Sequence, residues 1–345
     1  MGAFAGMLNK NEIYTSLYNM IIGQQVFSDR ISDHGALVDK ARIDGGLYGD
    51  TKLFYSADAL ETHAWGNDAE ATNLLALDRP DAPECQAVTI DTFRQIRLTL
   101  DDYLSKRAWS TEGAFSQFNS VMEGMLSKTK RIYDTTTYNA FVGTDAVTAQ
   151  TYSVSVSSTA TAEDEAKLVA QKIADLKDSL ADLSRDFNEY GQATIFNKED
   201  VKVVWNSAVV NRLNKVDLPA IFHTDGLAPI GDVVNAKYFG TKNTAAKAGD
   251  GKTIRSLIEQ TIGSNHYFAG ELIKSGDTAP AGTSYTEDAS ILCKMYIKLP
   301  PYMSAFEVGT SFDNPRSLTK NRYLTFGHNT LEHFKGYPCI TIKKA

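Results

Sequence analysis

The longest regular pattern in the chain runs through Ala166, Val169, Ile173, Leu176, Leu180, Leu183, Phe187 and Tyr190, apolar positions separated by alternating steps of three and four. That spacing puts one apolar stripe on one face of a helix. Thr161 and Asp164 form a capping-box start and Gly191 supplies a stop, so the pattern predicts a helix over 161–190, on the order of 45 Å long at ~1.5 Å per residue. A single element of that length suggests a mechanical spine packed on a sheet. The competing reading, a two-stranded coiled coil, suffers because the stripe ends after these few turns.

Elsewhere the period changes. A second helix is predicted from about Thr111 to Tyr133, with Phe115, Phe118, Met122, Met125 and Ile132 as its core face and Glu112 in its first turn. A short packing helix is expected from Asn11 through Ile13, Leu17, Met20 and Ile21. In Leu37 to Tyr55 apolar and charged residues mix around Gly45-Gly46 and Gly49-Asp50, which reads as extended hairpin-like structure. The segment from Asp78 to Pro83 has loop chemistry, and alternation returns from Val88 to Leu100, where Ile96, Leu98 and Leu100 interleave with Arg97 and Thr99. Further strands are expected around Tyr152 to Val156, at Val201 to Trp205, near Ile291 to Ile297 and at Tyr337 to Ile342. Short helices are expected at Ser207 to Lys215 and Thr253 to Ile262, with polar loops at Lys242 to Lys252 and Ser275 to Thr286.

Composition narrows the class without deciding it. At 345 residues, 43% hydrophobic and 22% charged, the chain is long enough for a sizeable core and is not collagenous, low-complexity or disulfide-stapled. The net charge of −7 repels phosphate and disfavours a general nucleic-acid binder. The charge is uneven: Ile291 to Ala345 carries eight Lys and Arg against three Asp and Glu, a local +5 that leaves −12 for the rest. That excess reads as a solvated surface, with a basic face as the alternative. Cys85, Cys293 and Cys339 are odd in number and lack a C-x-x-C pair, which fits buried thiols in a reducing compartment. Met1 to Lys10 shows no export or lipidation signal, and no apolar run approaches the roughly 20 residues of a membrane span.

Catalytic patterns were sought and none is complete. Gly251-Lys252-Thr253 invites a phosphate-loop reading, but Ala246 stands where the first glycine belongs, and a turn before a helix explains the segment. His34, His63, His223, His266, His328 and His333 include no i, i+4 pair flanking a glutamate; His328 and His333 are five apart and do not share a helical face. Nucleophile-elbow, S-x-x-K and dinucleotide-binding patterns are absent. The sequence therefore assigns no catalytic residue, metal ligand or cofactor.

What remains is a likeness. LVDKARIDGGLYGDTKLFY at Leu37 to Tyr55, FRQIRLTLDDYLSKRAW at Phe93 to Trp109, KRIYDTTTYNAFVGT at Lys130 to Thr144 and the stretch from Asp186 to Leu227 resemble the major capsid proteins of tailed double-stranded DNA bacteriophages. These are diffuse patterns over most of the chain, with no chemical signature.

The resemblance implies an α+β Hong Kong 97 phage-like capsid fold. In that scheme residues 1–36 are an N-terminal arm, 37–100 an extended loop lying over a neighbouring subunit, and 101–199 a peripheral domain whose spine helix is 161–190. Residues 200–289 are then an axial domain, and 290–345 return to the peripheral domain. The resemblance also implies assembly rather than turnover: copies form pentamers and hexamers, close into an icosahedral procapsid with a separate scaffolding protein, a portal and a decoration protein, and enclose packaged genomic DNA without reading its sequence. The place of action is then the virion capsid, after assembly in the host bacterial cytoplasm. The mixed-sign set Asp39, Lys40, Arg42, Asp44, Asp50 and Lys52 is suited to contacts between subunits whose register is set by charge. Two other readings stay open at this point: an encapsulin-like compartment enclosing protein cargo, and a soluble nucleotide-dependent enzyme using Lys252 and Thr253.

Overall fold

The computed structural model describes residues 37–60, 62, 79–101, 112–143, 150–154, 161–213, 231–242, 266–268, 271–273, 285–329 and 332–345. The expected helices near residues 13–21 and 253–262 and the loop at 242–252, apart from Lys242 itself, lie outside these residues. In chain order the elements are α1 (Leu37–Ala41), β1 (Arg42–Asp44), β2 (Thr51–Ser56), β3 (Glu84–Asp101), α2 (Glu112–Gly143), β4 (Gln150–Val154), α3 (Ala162–Ala181), β5 (Lys202–Asn206) and α4 (Ser207–Leu213). They continue with β6 (Asp232–Val234), β7 (Gly240–Lys242), β8 (His266–Phe268), β9 (Glu271–Ile273), β10 (Tyr285–Glu287), β11 (Ile291–Tyr296), β12 (Tyr302–Ser304), β13 (Val308–Asn314), β14 (Thr319–Asn329) and β15 (Cys339–Lys344).

Two sheets organise the molecule. The first has strand order β4-β15-β11-β5-β6. Its central strand β11, ILCKMY, is buried along its whole length, which is why it reads as a nearly continuous apolar run rather than an alternating one. Strands β5 and β15 supply side chains to both faces. On one face Ala166, Val169, Ile173, Leu176 and Leu180 of α3 meet Val203, Trp205, Met295, Ile340 and Ile342. On the other, Tyr138, Phe141 and Val142 of α2, with Leu37 and Val38 of α1, meet Val204, Ile291, Tyr296 and Cys339. The result is a sheet covered by helices on both sides, with each fully buried large side chain contributing about 1.5–3 kcal/mol.

The second sheet is an arm. Its order is β1-β12-β14-β3-β2, with β13 pairing to β14 as well. Strand β3 has 18 residues and changes partner along its length: Glu84 to Thr89 pair with β2, and the remainder lies against β14 from Asn329 opposite Ile90 to Thr319 opposite Asp101. The base of this sheet is buried through Val88, Ile90, Met303 and Ala305. Two glycines serve this region, one at a close approach and one at a turn. A Cβ on Gly45 would lie 2.5 Å from the Ser304 carbonyl, and Gly49 has φ +91°, a backbone conformation that side chains disfavour.

Several expectations require correction. Leu37 to Ala41 is helical rather than extended, because Leu37, Val38 and Ala41 must all face one core. Strands β1 and β2 do not form a hairpin together: β1 runs parallel to β12, and β2 pairs with β3. Helix α2 continues ten residues past Tyr133, through Thr135-Thr136-Thr137, because burial of Tyr138, Phe141 and Val142 outweighs the weak helix preference of threonine. Among its described side chains the buried face differs from the expected one, for Met125 and Ile132 are exposed while Lys130, Tyr133, Asp134 and Tyr138 are buried.

The largest correction concerns the strongest pattern. Helix α3 ends at Ala181 after 20 residues, about 30 Å, not at Tyr190. Its start matches expectation: the Thr161 hydroxyl accepts from the Asp164 N–H, and the Asp164 side chain accepts from the Thr161 N–H. At the other end Asp182 turns extended, and the Phe196 N–H donates to the Leu180 carbonyl at 2.9 Å, which satisfies a group the helix would otherwise have kept. Leu183 points to solvent, whereas Phe187 is buried from a folded-back loop closed by a bridge between Ser184 and Thr194. Gly191, with φ +65°, turns that loop rather than stopping the helix.

Candidate functional site

The six charged residues expected to make contacts between subunits cluster at the root of the arm, and each engages its own chain. Asp39 and Arg42 pair one helical turn apart at 3.3 Å. Lys40 is bonded to Asp232, so α1 is tied to the edge strand β6. The Asp50 carboxylate accepts from the Leu47 N–H at 2.6 Å and shapes the turn before β2. The Lys52 ammonium donates to the Asp44 carbonyl, which closes the same turn from the other side. Both Asp39 and Lys40 keep about half of their side-chain surface open.

Arg42 leads inward to a group of residues that the sequence reading passed over. Asp134, on α2, is 2% exposed. Its carboxylate accepts from the Lys130 ammonium at 2.9 Å and from the Tyr302 hydroxyl at 2.7 Å, with the Arg42 guanidinium at 3.4 Å. Lys130 also reaches Glu307 at 2.9 Å, so one ammonium joins the helix to the first residues of the β13–β14 hairpin. Burial alone would lower the Lys130 pKa, but the Asp134 and Glu307 carboxylates more than offset it and the pKa is raised. The same balance raises that of Arg42. Beside them His328 donates from Nδ1 to the Asn329 carbonyl at 2.8 Å. In the neutral ring Nε2 is then the acceptor for the Tyr133 hydroxyl, also at 2.8 Å. Tyr302 stacks on His328 with ring centroids 5.3 Å apart. The signal for this cluster was the i, i+4 spacing of Lys130 and Asp134, which by itself marks any solvated helix face.

The histidines His328 and His333 are thus in different places, and His333 pairs with Glu189 at 2.9 Å. Cys293 and Cys339 are buried in the first sheet, and burial pushes the Cys293 thiol well above its ordinary value; Cys85 is exposed. Gly251, Lys252 and Thr253 lie outside the described residues.

The basic excess of the C-terminal region is divided among separate settings. Lys298 sits over three rings, Phe54, Phe334 and Tyr337, at 5.7, 4.7 and 5.5 Å. Lys344 pairs with Glu165, and Lys343 with Asp288. Lys294 is fully buried.

The arm presents an open surface. Strand β13 is exposed for nearly its whole length; Val308 and Phe312 on it, and Phe306 just before it, are exposed. Phe93 of β3 and Tyr48 lie in ring contact 5.4 Å apart and are themselves exposed. This hairpin was also missed in the sequence, although Asn314-Pro315 is a turn signal between two runs that alternate.

Comparison with known proteins decides the family. The model of Phi29-like phage major capsid proteins matches residues 7–327. The chain belongs to that family. It is a major capsid protein of a phage head, a structural component of the virion. Among solved structures, a chain from the structure of the head fibre and inner core protein gp22 of bacteriophage P68 superposes with TM-score 0.56 at 12% identity, covering 87% of this chain and 86% of that one. A chain from the capsid of Staphylococcus phage Andhra gives TM-score 0.54 at 11% identity, with 88% and 83% covered. At those identities the likeness is one of fold, and the fold of this capsid protein is a phage capsid fold. No curated protein sequence matches the chain. A major capsid protein works by associating with copies of itself, so its functional site is a set of surfaces rather than a pocket.

Proposed function

We propose that the capsid protein assembles into pentamers and hexamers of an icosahedral head, built with a scaffolding protein, a portal and a decoration protein, that encloses double-stranded DNA without reading its sequence. The family match over 7–327 carries this reading. The negative net charge supports a lining that does not adhere to packaged DNA. The exposed remainder of Asp39, Lys40, Arg42, Asp44, Asp50 and Lys52 would guide register between neighbours, through exposed pairs each worth about 0–1 kcal/mol. Weak contacts of that size let misplaced subunits leave before closure.

Packing supports a different division of the chain from the one expected. The 32-residue α2 spans from the arm to the core of the first sheet and is the better spine. Helix α3 shares its core with β5 and β11, so 162–181 would go with 202–213 and 231–234 in the axial domain. The β2–β3 ladder would form the base of the extended loop.

The test is electron microscopy with light-scattering mass of the protein expressed alone and with scaffolding protein. Closed shells of hundreds of copies are expected. A monomer or small oligomer under both conditions would overturn the proposal.

A further inference from the structure

Strand β13, VGTSFDN, is the outer strand of the arm. It pairs with β14 through Val308 opposite Thr325 to Asn314 opposite Thr319. Among the described residues no strand pairs with its other edge. A strand edge offers a row of backbone donors and acceptors, and proteins that must avoid pairing protect such edges with lysine, proline, a bulge or a covering element. Among the described residues none of these is present. The strand holds no Lys, Arg or Pro, its register with β14 is unbroken, its residues are exposed, and a Cβ on Gly309 would meet nothing within 4 Å. The exposed apolar side chains Val308 and Phe312 stand on the same face, two alternations apart.

We infer that this edge pairs antiparallel with β13 of a second copy across a two-fold axis, joining two arms into one continuous sheet. The inference rests on the shell reading, which makes a second copy the partner at hand. It adds the edge and the register. In a two-fold pairing the strand must be complementary to itself. With Ser311 at the centre, Ser311 faces Ser311 of the partner subunit, Thr310 faces Phe312 of the partner subunit, and Val308 faces Asn314 of the partner subunit. Phe312 then has Val308 of the partner subunit and Phe312 of the partner subunit as diagonal neighbours, within reach of an aromatic ring. The single charge of the strand, Asp313, faces Gly309 of the partner subunit, so like charges are not opposed. Moving the centre to Thr310 would set Asp313 directly opposite Glu307 of the partner subunit, and moving it to Asp313 would set the two aspartates directly opposite one another.

Disulfide trapping in assembled shells tests this. Residues directly opposite in an antiparallel pair have Cα atoms about 4.5–5.5 Å apart, inside the range of about 4.4–6.8 Å that a disulfide spans. Ser311→Cys, in a Cys85→Ser background that removes the exposed native thiol, should convert the monomer band of oxidised shells to a dimer band. Asp313→Cys in the same background should stay monomeric, because its two copies would be offset by about 14 Å along the strands. Shells of Ser311→Cys that remain monomeric, or dimer formation by Asp313→Cys instead, would overturn the inference and leave the shell reading intact. A second variant, Ser311→Lys, places two ammonium groups opposite one another and is expected to reduce the yield of shells. An unchanged yield would equally overturn the pairing, while absence of shells from the unaltered protein would remove the reading on which it rests.

Discussion

The buried ion pair at the arm root offers a quantitative test of how α2 is coupled to the arm. Asp134 receives three donors, from Lys130, Tyr302 and Arg42, and its side chain is 3% exposed. Replacing it with leucine strands the Lys130 ammonium, and breaking a buried pair in this way costs about 3–5 kcal/mol. Glu307 remains at 2.9 Å from that ammonium and is half exposed, so the loss falls at the lower end of the range. The Tyr302 hydroxyl also loses its acceptor, which adds about 1 kcal/mol, for a total near ~4 kcal/mol. Lys130→Met leaves Asp134 with Arg42 and Tyr302 and should cost about 2 kcal/mol. The double substitution removes both charges together, leaves the Tyr302 hydroxyl without its acceptor and loses the half-exposed Lys130–Glu307 pair, and should cost about 2 kcal/mol, so the two changes couple by about 4 kcal/mol. Urea unfolding of the unassembled subunit, read as a shift of midpoint at constant slope, measures all three. The Lys130 pKa is raised above 10.5, so its contribution is complete below that pH and fades only as pH rises through the higher folded value. The penalty of Lys130→Met should therefore be flat from neutral pH to about 10. A double variant whose cost equals the sum of the singles would refute the account of a coupled pair.

Three further outcomes follow from named contacts. Thr161→Ala removes the cap of α3 and should lower stability by about 1 kcal/mol, checked by the same urea titration, with Thr161→Ser restoring most of it. The native subunit should expose one thiol, Cys85, to a thiol reagent and reveal the other two only on unfolding; rapid reaction at Cys293 in native protein would contradict its burial in β11. The Asp58 carboxylate is held below its ordinary value of 3.8 by N–H donation from Ala193, by Arg185 and by the Ala59 N–H. Its contribution is present above that pH and is lost as pH falls through the lower folded value, so Asp58→Asn should flatten the acid limb of the stability curve, and an unchanged limb would count against the contact.

The sequence was most informative where one local rule acted alone. The capping box at Thr161, the strand at β5 and the alternation of β3 follow from nearest-neighbour chemistry and a fixed period, and each appears close to where it was expected. The reading failed where a distant surface chose between local options. Leu183 and Tyr190 continue the period of α3, yet the chain leaves the helix at Asp182 because Phe196 supplies a donor to Leu180 and Phe187 can bury itself from a loop. The predicted helix ended at Tyr133, before Thr135 to Thr137, yet Tyr138, Phe141 and Val142 find the sheet and carry the helix onward.

The family was legible in diffuse patterns of sequence, because assembly proteins carry their function in the whole surface and leave no short chemical motif. The partners that individual charges find within the subunit were not. Asp39, Lys40, Arg42, Asp44, Asp50 and Lys52 looked like one contact set, but tertiary structure ties Lys40 to Asp232 and Arg42 to Asp134, residues 192 and 92 positions away. It also buries Lys130 and Asp134, whose spacing alone suggests solvent. The sequence thus determined the type of those segments whose period or cap acts locally, such as α3, β3 and β5, since those depend on neighbours along the chain. Partner choice, helix ends and the burial of charge were decided only by the tertiary structure, because each compares the energy of a local arrangement with that of a contact made far away in sequence.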